Sequence, residues 1–308
     1  MLKCVLVASV VAVALSQTLP GTKKQLIAHR GASAYAPEHT IAAYTRALEQ
    51  GADFVEQDLA VTKDGVLVCI HDLTLERTTN VEEVFPHRFS ADVPAVAATP
   101  DRSGEAGHRW LVNDFTLEEI KRLDAGSWFG PAFAGATIPT FQEAIDLVHG
   151  KAGMYPELKD PEFYRKRGFR PDVLLAAALK RNGLVANPKT PIIIQSFDDT
   201  TLKQLARDLP QVPRVFLIDP QGAARVESAD KLKEIAGWAS GVAPNKVLIA
   251  AHPEMVQWAH AAGLTVTSWT FRSSSTTVPS VRDEMAKFLY EYGVDALFTD
   301  NPDQFPRR

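Results

Sequence analysis

Residues 54–72, FVEQDLAVTKDGVLVCIHD, hold two runs that read as β-strands, and both carry ionisable groups. In Phe54–Val61 the alternation places Glu56 and Asp58 two residues apart, so a strand points both carboxylates to one side of its sheet. Val66–His71 is a continuous apolar run, the pattern of a strand buried on both faces, and it delivers His71 and Asp72 at its C-terminal end. Upstream, Leu26-Ile27-Ala28 is a short apolar run that stops at His29-Arg30-Gly31, with Pro37-Glu38 close behind. A lone Glu-x-Asp is most often a solvated face, and a lone histidine at a strand end is most often hydrogen-bonded filler. Two histidines emerging where strands stop, beside two carboxylates, mark a site instead.

Outward from this stretch, strands and helices alternate. Thr40 to Gln50 is an amphipathic helix with Ile41, Ala42, Tyr44, Thr45 and Leu48 on its apolar stripe and Gly51 ending it. Strands are expected at 153–159, 191–197, 214–218, 241–244, 264–271 and 296–299. Between them, helices are expected at 171–182, 200–208, 229–236, 253–262 and 280–292. Alternating β and α elements imply an α/β fold with a parallel sheet, and eight such units imply a closed (β/α)8 TIM barrel. One region breaks the rhythm: 81–109 is rich in Pro, Ala and charge and has no sustained period.

The chain has 308 residues, 45% hydrophobic and 23% charged, enough to bury a large core as one elaborated barrel domain. A formal charge of −4 offers no electrostatic reason to expect nucleic acid or an acidic membrane as partner, which leaves a small molecule. At the N-terminus, Lys3 precedes an uninterrupted apolar stretch from Cys4 to Leu15, and Ala14 and Ser16 offer a small-residue cleavage pattern. Residues 1–16 therefore read as a secretory signal peptide, too short for a stable membrane span. Export to the periplasm or medium follows, with no membrane insertion after removal. Cys4 sits too early for a lipoprotein anchor. Its removal leaves Cys69 alone in an apolar strand, as core.

The motifs carry a family resemblance. LIAHRGASAYAPEHTIAAYTRALEQGADFVEQDLAVTKDGVLVCIHDLTLERTTNV (26–81), FTLEEIKRLDAGSWFG (115–130), IPTFQEAIDLV (138–148), YPELK (155–159), IIIQSF (192–197), TVTSWTF (265–271) and DALFTDNPD (295–303) occur in order. Together they resemble the glycerophosphodiester phosphodiesterase family, in particular its periplasmic bacterial type. His39 stands where many relatives carry Asn, and reads as a subfamily mark. The resemblance implies a TIM-barrel domain over 24–305 with an inserted subdomain at 73–133 over the barrel mouth. It also implies a glycerol-containing substrate, hydrolysed to sn-glycerol 3-phosphate and an alcohol in phospholipid and glycerol metabolism.

A phosphodiester needs positive charge on its non-bridging oxygens, a group that removes a proton from the nucleophile and another that protonates the leaving alkoxide. Glu56, Asp58 and Glu157 make an all-carboxylate set suited to one hard divalent cation. Calcium or magnesium fits, and calcium is the more available outside the cytoplasm; zinc would want more nitrogen or sulfur. Arg30 can fork onto phosphate oxygens, and Lys159, on the face of Glu157, adds a point charge. His29 and His71 are the acid–base pair, in an order left open here. The glycerol's free hydroxyl can attack first, with an effective molarity of ~10⁵ M or more, or water activated by the cation can attack directly.

Trp269 and Phe271 share a face by spacing, and Trp269 is the aromatic expected to contact substrate. No acidic or aromatic cage for a quaternary ammonium is legible, so choline, ethanolamine, glycerol and inositol diesters are expected to react within about tenfold of one another. Two other classes compete: a related barrel phosphodiesterase acting on intact lipid, of phospholipase C or D type, and a non-catalytic binding protein on the same barrel. Nothing after the leader reads as a membrane-binding segment, and no histidine or carboxylate of the set is lost.

Overall fold

A computed structural model of the chain describes residues 23–90, 108–273 and 280–307. The expected signal peptide at 1–16 lies outside these residues, as does 91–107 of the aperiodic stretch. Nine strands form one sheet: β1 (Gln25–Ala28), β2 (Phe54–Val61), β3 (Leu67–Cys69), β4 (Gly153–Leu158), β5 (Ile194–Ser196), β6 (Arg214–Ile218), β7 (Gly241–Pro244), β8 (Thr265–Phe271) and β9 (Ala296–Thr299). The order is β1-β9-β8-β7-β6-β5-β4-β2-β3, and β1 also pairs with β2 through Ile27 and Phe54. Eight parallel strands thus close on themselves as a (β/α)8 barrel, in agreement with the expected fold.

The ninth strand corrects one reading. β3 runs antiparallel to β2, pairing Cys69 with Leu59 and Leu67 with Val61, and is an appendage rather than a barrel stave. A parallel return needs a crossover of a dozen or more residues, and the connection here is the short turn Thr62–Val66. Gly65, at φ +81, donates to Thr62 O at 3.0 Å within that turn. Lys63-Asp64-Gly65 was the sequence signal for a hairpin. His71 therefore lies two residues beyond a shorter strand, in the segment leading away from the barrel.

Helices wrap the outside: α1 (Ile41–Glu49), α2 (Val81–Val84), α3 (Leu117–Ile120), α4 (Phe141–Val148), α5 (Pro161–Lys166), α6 (Pro171–Arg181), α7 (Asp199–Asp208), α8 (Ala229–Ala236), α9 (Lys246–Ala251), α10 (Glu254–Ala261) and α11 (Val281–Lys287). α1 starts where the Thr40 side chain accepts from Ala43 N, and it buries Ala43, Tyr44 and Ala47. α4 starts with a reciprocal Thr140–Glu143 capping box. The expected helix at 280–292 ends at Lys287 and continues as one π-turn, Phe288–Tyr292.

The barrel has two apolar layers. Inside lie Ile27, Phe54, Tyr155, Val215, Leu217, Ala243, Ala296 and Phe298; the larger core fills the space between strands and helices. A Cβ on Gly153 would fall 2.4 Å from the Phe54 ring, so the small residue makes room for the large one across the β2–β4 pair. These packed rings floor the barrel, and the polar residues one step further along the same strands stand above them. Among the described residues, no helix is long and apolar enough to cross a membrane.

Candidate functional site

Period-2 placement builds the site. Phe54 points into the barrel, so Glu56 and Asp58 do too, and the β2–β4 register sets Asp58 beside Glu157. All three carboxylates are buried, and one oxygen from each lies within 4.8 Å of the others. Glu56 is held from two sides: Oε2 accepts from the Arg30 backbone N–H at 2.9 Å and Oε1 from Gln195 Nε2 at 2.7 Å. Asp58 Oδ2 accepts from His39 Nε2 at 2.8 Å, while Oδ1 is buried without a hydrogen-bond partner. An orphaned carboxylate oxygen facing two more carboxylates fits a hard divalent cation, whose ligands are oxygens.

The charges differ in environment. Burial, then Asp58 and Glu157, pushes Glu56 well above the usual carboxylate range. Burial would also raise Asp58, yet Lys159 and His39 hold it well below. Glu157 is pushed up to about 8, by burial first and despite Lys159. Lys159 Nζ lies 3.0 Å from Glu157 Oε1, and the carboxylates hold it charged against its own burial. Arg30 bridges inward and outward, with Nε 3.5 Å from Asp58 Oδ2 and Nη1 3.0 Å from Glu38 Oε1.

Both histidines stand at this rim with one nitrogen fixed. His29, just past β1, donates from Nδ1 to Asp300 Oδ1 at 2.6 Å, and its Nε2 faces Glu56 Oε2 at 3.8 Å. His71 donates from Nδ1 to Asp72 Oδ1 at 2.6 Å. Asp72 is ionised, lowered to about 2 against its burial by His71 and Arg77. Asp300 is likewise lowered, against burial, by His29. An ionised acceptor at Nδ1 fixes the tautomer and leaves Nε2 as the unprotonated nitrogen of the neutral ring. Burial, then Arg30, lowers both histidines, His71 to about 3, so both are neutral at pH 7 in the free site.

Seven of the eight expected residues, His29, Arg30, Glu56, Asp58, His71, Glu157 and Lys159, thus form one electrostatically linked group. Trp269 meets this group through Phe197, whose ring Lys159 Nζ overlies at 5.9 Å. Its Nε1 donates to Ala243 O at 2.6 Å and its ring meets Phe197 edge-on at 5.7 Å; among the described residues it makes no hydrogen bond to the histidines or carboxylates. Trp269 and Phe271 do not share a face. A register shift between Ser268 and Phe271 breaks the alternation, so Trp269 packs with the barrel interior and Phe271 with the outer core.

Sequence reasoning missed the supports. Asp300 and Gln195 sit in quoted motifs, directly after β9 and within β5, and their strand-end positions were the available signal. His39 bonds both Asp58 and the Tyr44 hydroxyl, the latter at 2.9 Å from Nδ1. Arg77 joins Asp72 to Glu38, contacting Glu38 Oε1 at 2.6 Å, and only the fold brings these 39 residues of separation together.

Comparison with known proteins agrees with this geometry. Residues 29–304 match the glycerophosphoryl diester phosphodiesterase family. The chain is 34% identical over 289 residues to glycerophosphodiester phosphodiesterase of Bacillus subtilis, covering 91% of this chain and 84% of that one. It is 32% identical to that of Caldanaerobacter subterraneus, covering 91% and 96%. Among solved structures, glycerophosphodiester phosphodiesterase from Agrobacterium tumefaciens superposes at TM-score 0.66 with 27% identity, covering 92% and 98%. A phosphodiesterase from Oleispira antarctica, in complex with the product sn-glycerol-3-phosphate, superposes at TM-score 0.68 with 27% identity, covering 92% and 95%. With barrel, acidic cluster and sequence in accord, the chain belongs to the glycerophosphoryl diester phosphodiesterase family, whose reaction is the hydrolysis of glycerophosphodiesters.

Proposed function

We propose that His29 and His71 divide the proton transfers of this hydrolysis across a phosphate held between Arg30, Lys159 and a cation bound by Glu56, Asp58 and Glu157. The observation that carries it is the pair of carboxylate-tethered histidines at the rim of one acidic cluster. A divalent cation there supplies Lewis acidity and neutralises non-bridging oxygen charge. Calcium is our reading of its identity, on the hard oxygen donor set and on the N-terminal sequence that reads as an export signal. The chain's own groups do the rest. Arg30 donates in a fork and Lys159 as a point charge to the phosphate. One histidine Nε2 takes the proton from the nucleophile, and the other, protonated when the anionic phosphate arrives beside it, gives a proton to the leaving oxygen. Either nucleophile, the neighbouring glycerol hydroxyl or water, presents its proton to the same pair.

The products are sn-glycerol 3-phosphate and the free alcohol, matching the product complex of the Oleispira relative. The decisive assay is release of glycerol 3-phosphate from glycerophosphocholine with and without chelator. Release that stops on chelation and returns with calcium supports the reading. Turnover confined to intact phospholipid, or none at all, overturns it. N-terminal sequencing of protein recovered from outside the cytoplasm tests export, with cleavage near residue 16 as the expected result.

A further inference from the structure

His39 is a buried histidine that the proton transfers leave unused. It sits at φ +54, 3% exposed, with its backbone N–H donating to Arg30 O at 3.0 Å. A side chain in the left-handed region persists where its surroundings fix it, and here they fix both ring nitrogens. Nε2 lies 2.8 Å from Asp58 Oδ2, and Nδ1 lies 2.9 Å from the hydroxyl of Tyr44, itself fully buried on α1. On its other side that hydroxyl meets the thiol of Cys69 on β3. Cys69, Tyr44, His39 and Asp58 thus form one line, from β3 through α1 and the loop 29–40 to the acidic cluster on β2.

The direction of the line follows from its ends. Asp58 is held ionised against its burial, by Lys159 first and then by His39, and a carboxylate can only accept, so His39 Nε2 donates. Tyr44 and Cys69 keep their protons, because burial raises both, the thiol to about 12. Every donor points toward the one charge when the Cys69 thiol donates to the Tyr44 oxygen, the Tyr44 hydroxyl to His39 Nδ1, and His39 Nε2 to Asp58 Oδ2. Hydrogen bonds aligned in this way strengthen one another. Arg30 Nε, 3.5 Å from the same Asp58 oxygen, adds to the pull on Oδ2. Asp58 Oδ1 is buried without a hydrogen-bond partner, so this carboxylate is anchored by one oxygen and free at the other. Its neighbours differ: both oxygens of Glu56 are hydrogen-bonded, and Lys159 sits on Glu157.

We propose that His39 is a positioning residue of the cation site: its donation to Oδ2, enforced by donation from Tyr44 to Nδ1, turns Asp58 so that Oδ1 is presented to the cation shared with Glu56 and Glu157. Without the Tyr44 proton at Nδ1 the ring is free to carry its own proton there, and Nε2 then turns a lone pair on the Asp58 carboxylate. This rests on the cation reading above and deepens it. Residues that orient a metal ligand from behind set the affinity of the site by about 10–100-fold.

The test is calorimetric titration of the chelator-treated chain with calcium, and with magnesium. His39→Asn suits the left-handed backbone, but its shorter amide falls short of Asp58. His39→Gln carries an amide N–H out to the place of Nε2, and Tyr44→Phe removes only a hydroxyl. Relative to the wild type, Kd should rise about 10–100-fold in His39→Asn, rise by less in Tyr44→Phe, and return most of the way in His39→Gln. A purely structural role would lower the melting temperature of the cation-free variants and leave Kd alone, and an unchanged Kd in His39→Asn overturns the proposal. If His39→Asn does not fold, Tyr44→Phe decides in its place by the same criterion. The ring nitrogens of His39 give a second reading that needs neither cation nor variant. Their NMR signals in the cation-free wild type should show Nε2 protonated and Nδ1 not; any other state overturns the relay from Tyr44. If the wild type binds neither calcium nor magnesium, the cation reading itself fails and takes this proposal with it, an outcome distinct from a wild type that binds and variants that bind equally well.

Discussion

His29 and His71 reach the site with the same arrangement, Nδ1 tied to an ionised carboxylate and Nε2 left to work, though they come from opposite ends of the chain's first motif. That symmetry explains why neither sequence nor tautomer ranks one as base and the other as acid. Kinetics can. His29→Ala and His71→Ala should each lower kcat by roughly 10² or more on glycerophosphocholine, with thermal stability and KM largely kept. An activated aryl leaving group needs no protonation, so on such a diester the variant lacking the general acid should recover most of its rate and the other should not. A variant keeping more than about half the wild-type rate on glycerophosphocholine would remove that histidine from the mechanism. Glu38 shows a different kind of residue. Caught between Arg30 and Arg77, it bonds neither His29 nor His71, yet through Arg77 and Asp72 it fixes where His71 stands.

At the scale of elements, the barrel strands hold the site because large and small residues alternate below it. Gly153→Ala should therefore destabilise the protein by ~1–3 kcal/mol, because the new methyl meets the Phe54 ring, itself packed edge-on against Tyr155 at 5.8 Å. Adding Phe54→Leu should restore part of that loss in chemical denaturation, a non-additive pair. Simple additivity would show that the contact is relieved elsewhere. The same periodicity made much of the fold legible. Phe54–Val61 is a strand with its predicted bounds, and the run Gly241–Pro244, with few apolar residues to announce it, is a strand as read. Where the reading failed, a local event outweighed the period. A tight turn at Lys63-Asp64-Gly65 reversed β3, and a register shift after Ser268 turned Phe271 away from Trp269. Helix α5, six residues opening on a proline, was too short to show any period at all. The acidic residues were legible because strands project them at fixed intervals; Asp300, Gln195 and Arg77 were not, because their partners lie far off in sequence.

Across the whole molecule, the site's charges couple to folding. Asp72 is lowered to about 2 and Glu38 well below its ordinary range, against burial in both cases, by His71 and Arg77 for the first and Arg30 and Arg77 for the second. The unfolded chain binds protons at these groups at higher pH than the native state does. Their contribution is thus complete above the ordinary carboxylate range; that of Asp72 disappears as pH falls from about 4 toward 2, and that of Glu38 is lost in acid well below its ordinary range. Thermal denaturation should show the midpoint dropping across that window, and Arg77→Met should flatten the drop; an unchanged slope would show that these ion pairs are balanced by their desolvation. The acidic cluster couples to a ligand instead. Three buried carboxylates with oxygens within 4.8 Å repel one another until a cation is shared among them, so calcium should bind the folded chain and not the unfolded one. Mass action then sets the size: at a hundredfold excess over Kd the native state gains ~2.7 kcal/mol, and the melting temperature should climb with calcium concentration without saturating at the Kd. Glu56→Gln removes one of the three charges while keeping an oxygen for Arg30 N or Gln195, so it should fold, lose the calcium-dependent rise and lose turnover together. Full activity after exhaustive chelation, or a Glu56→Gln enzyme with the wild-type rate, would detach the cluster from the chemistry and leave it a structural knot of carboxylates at the barrel mouth.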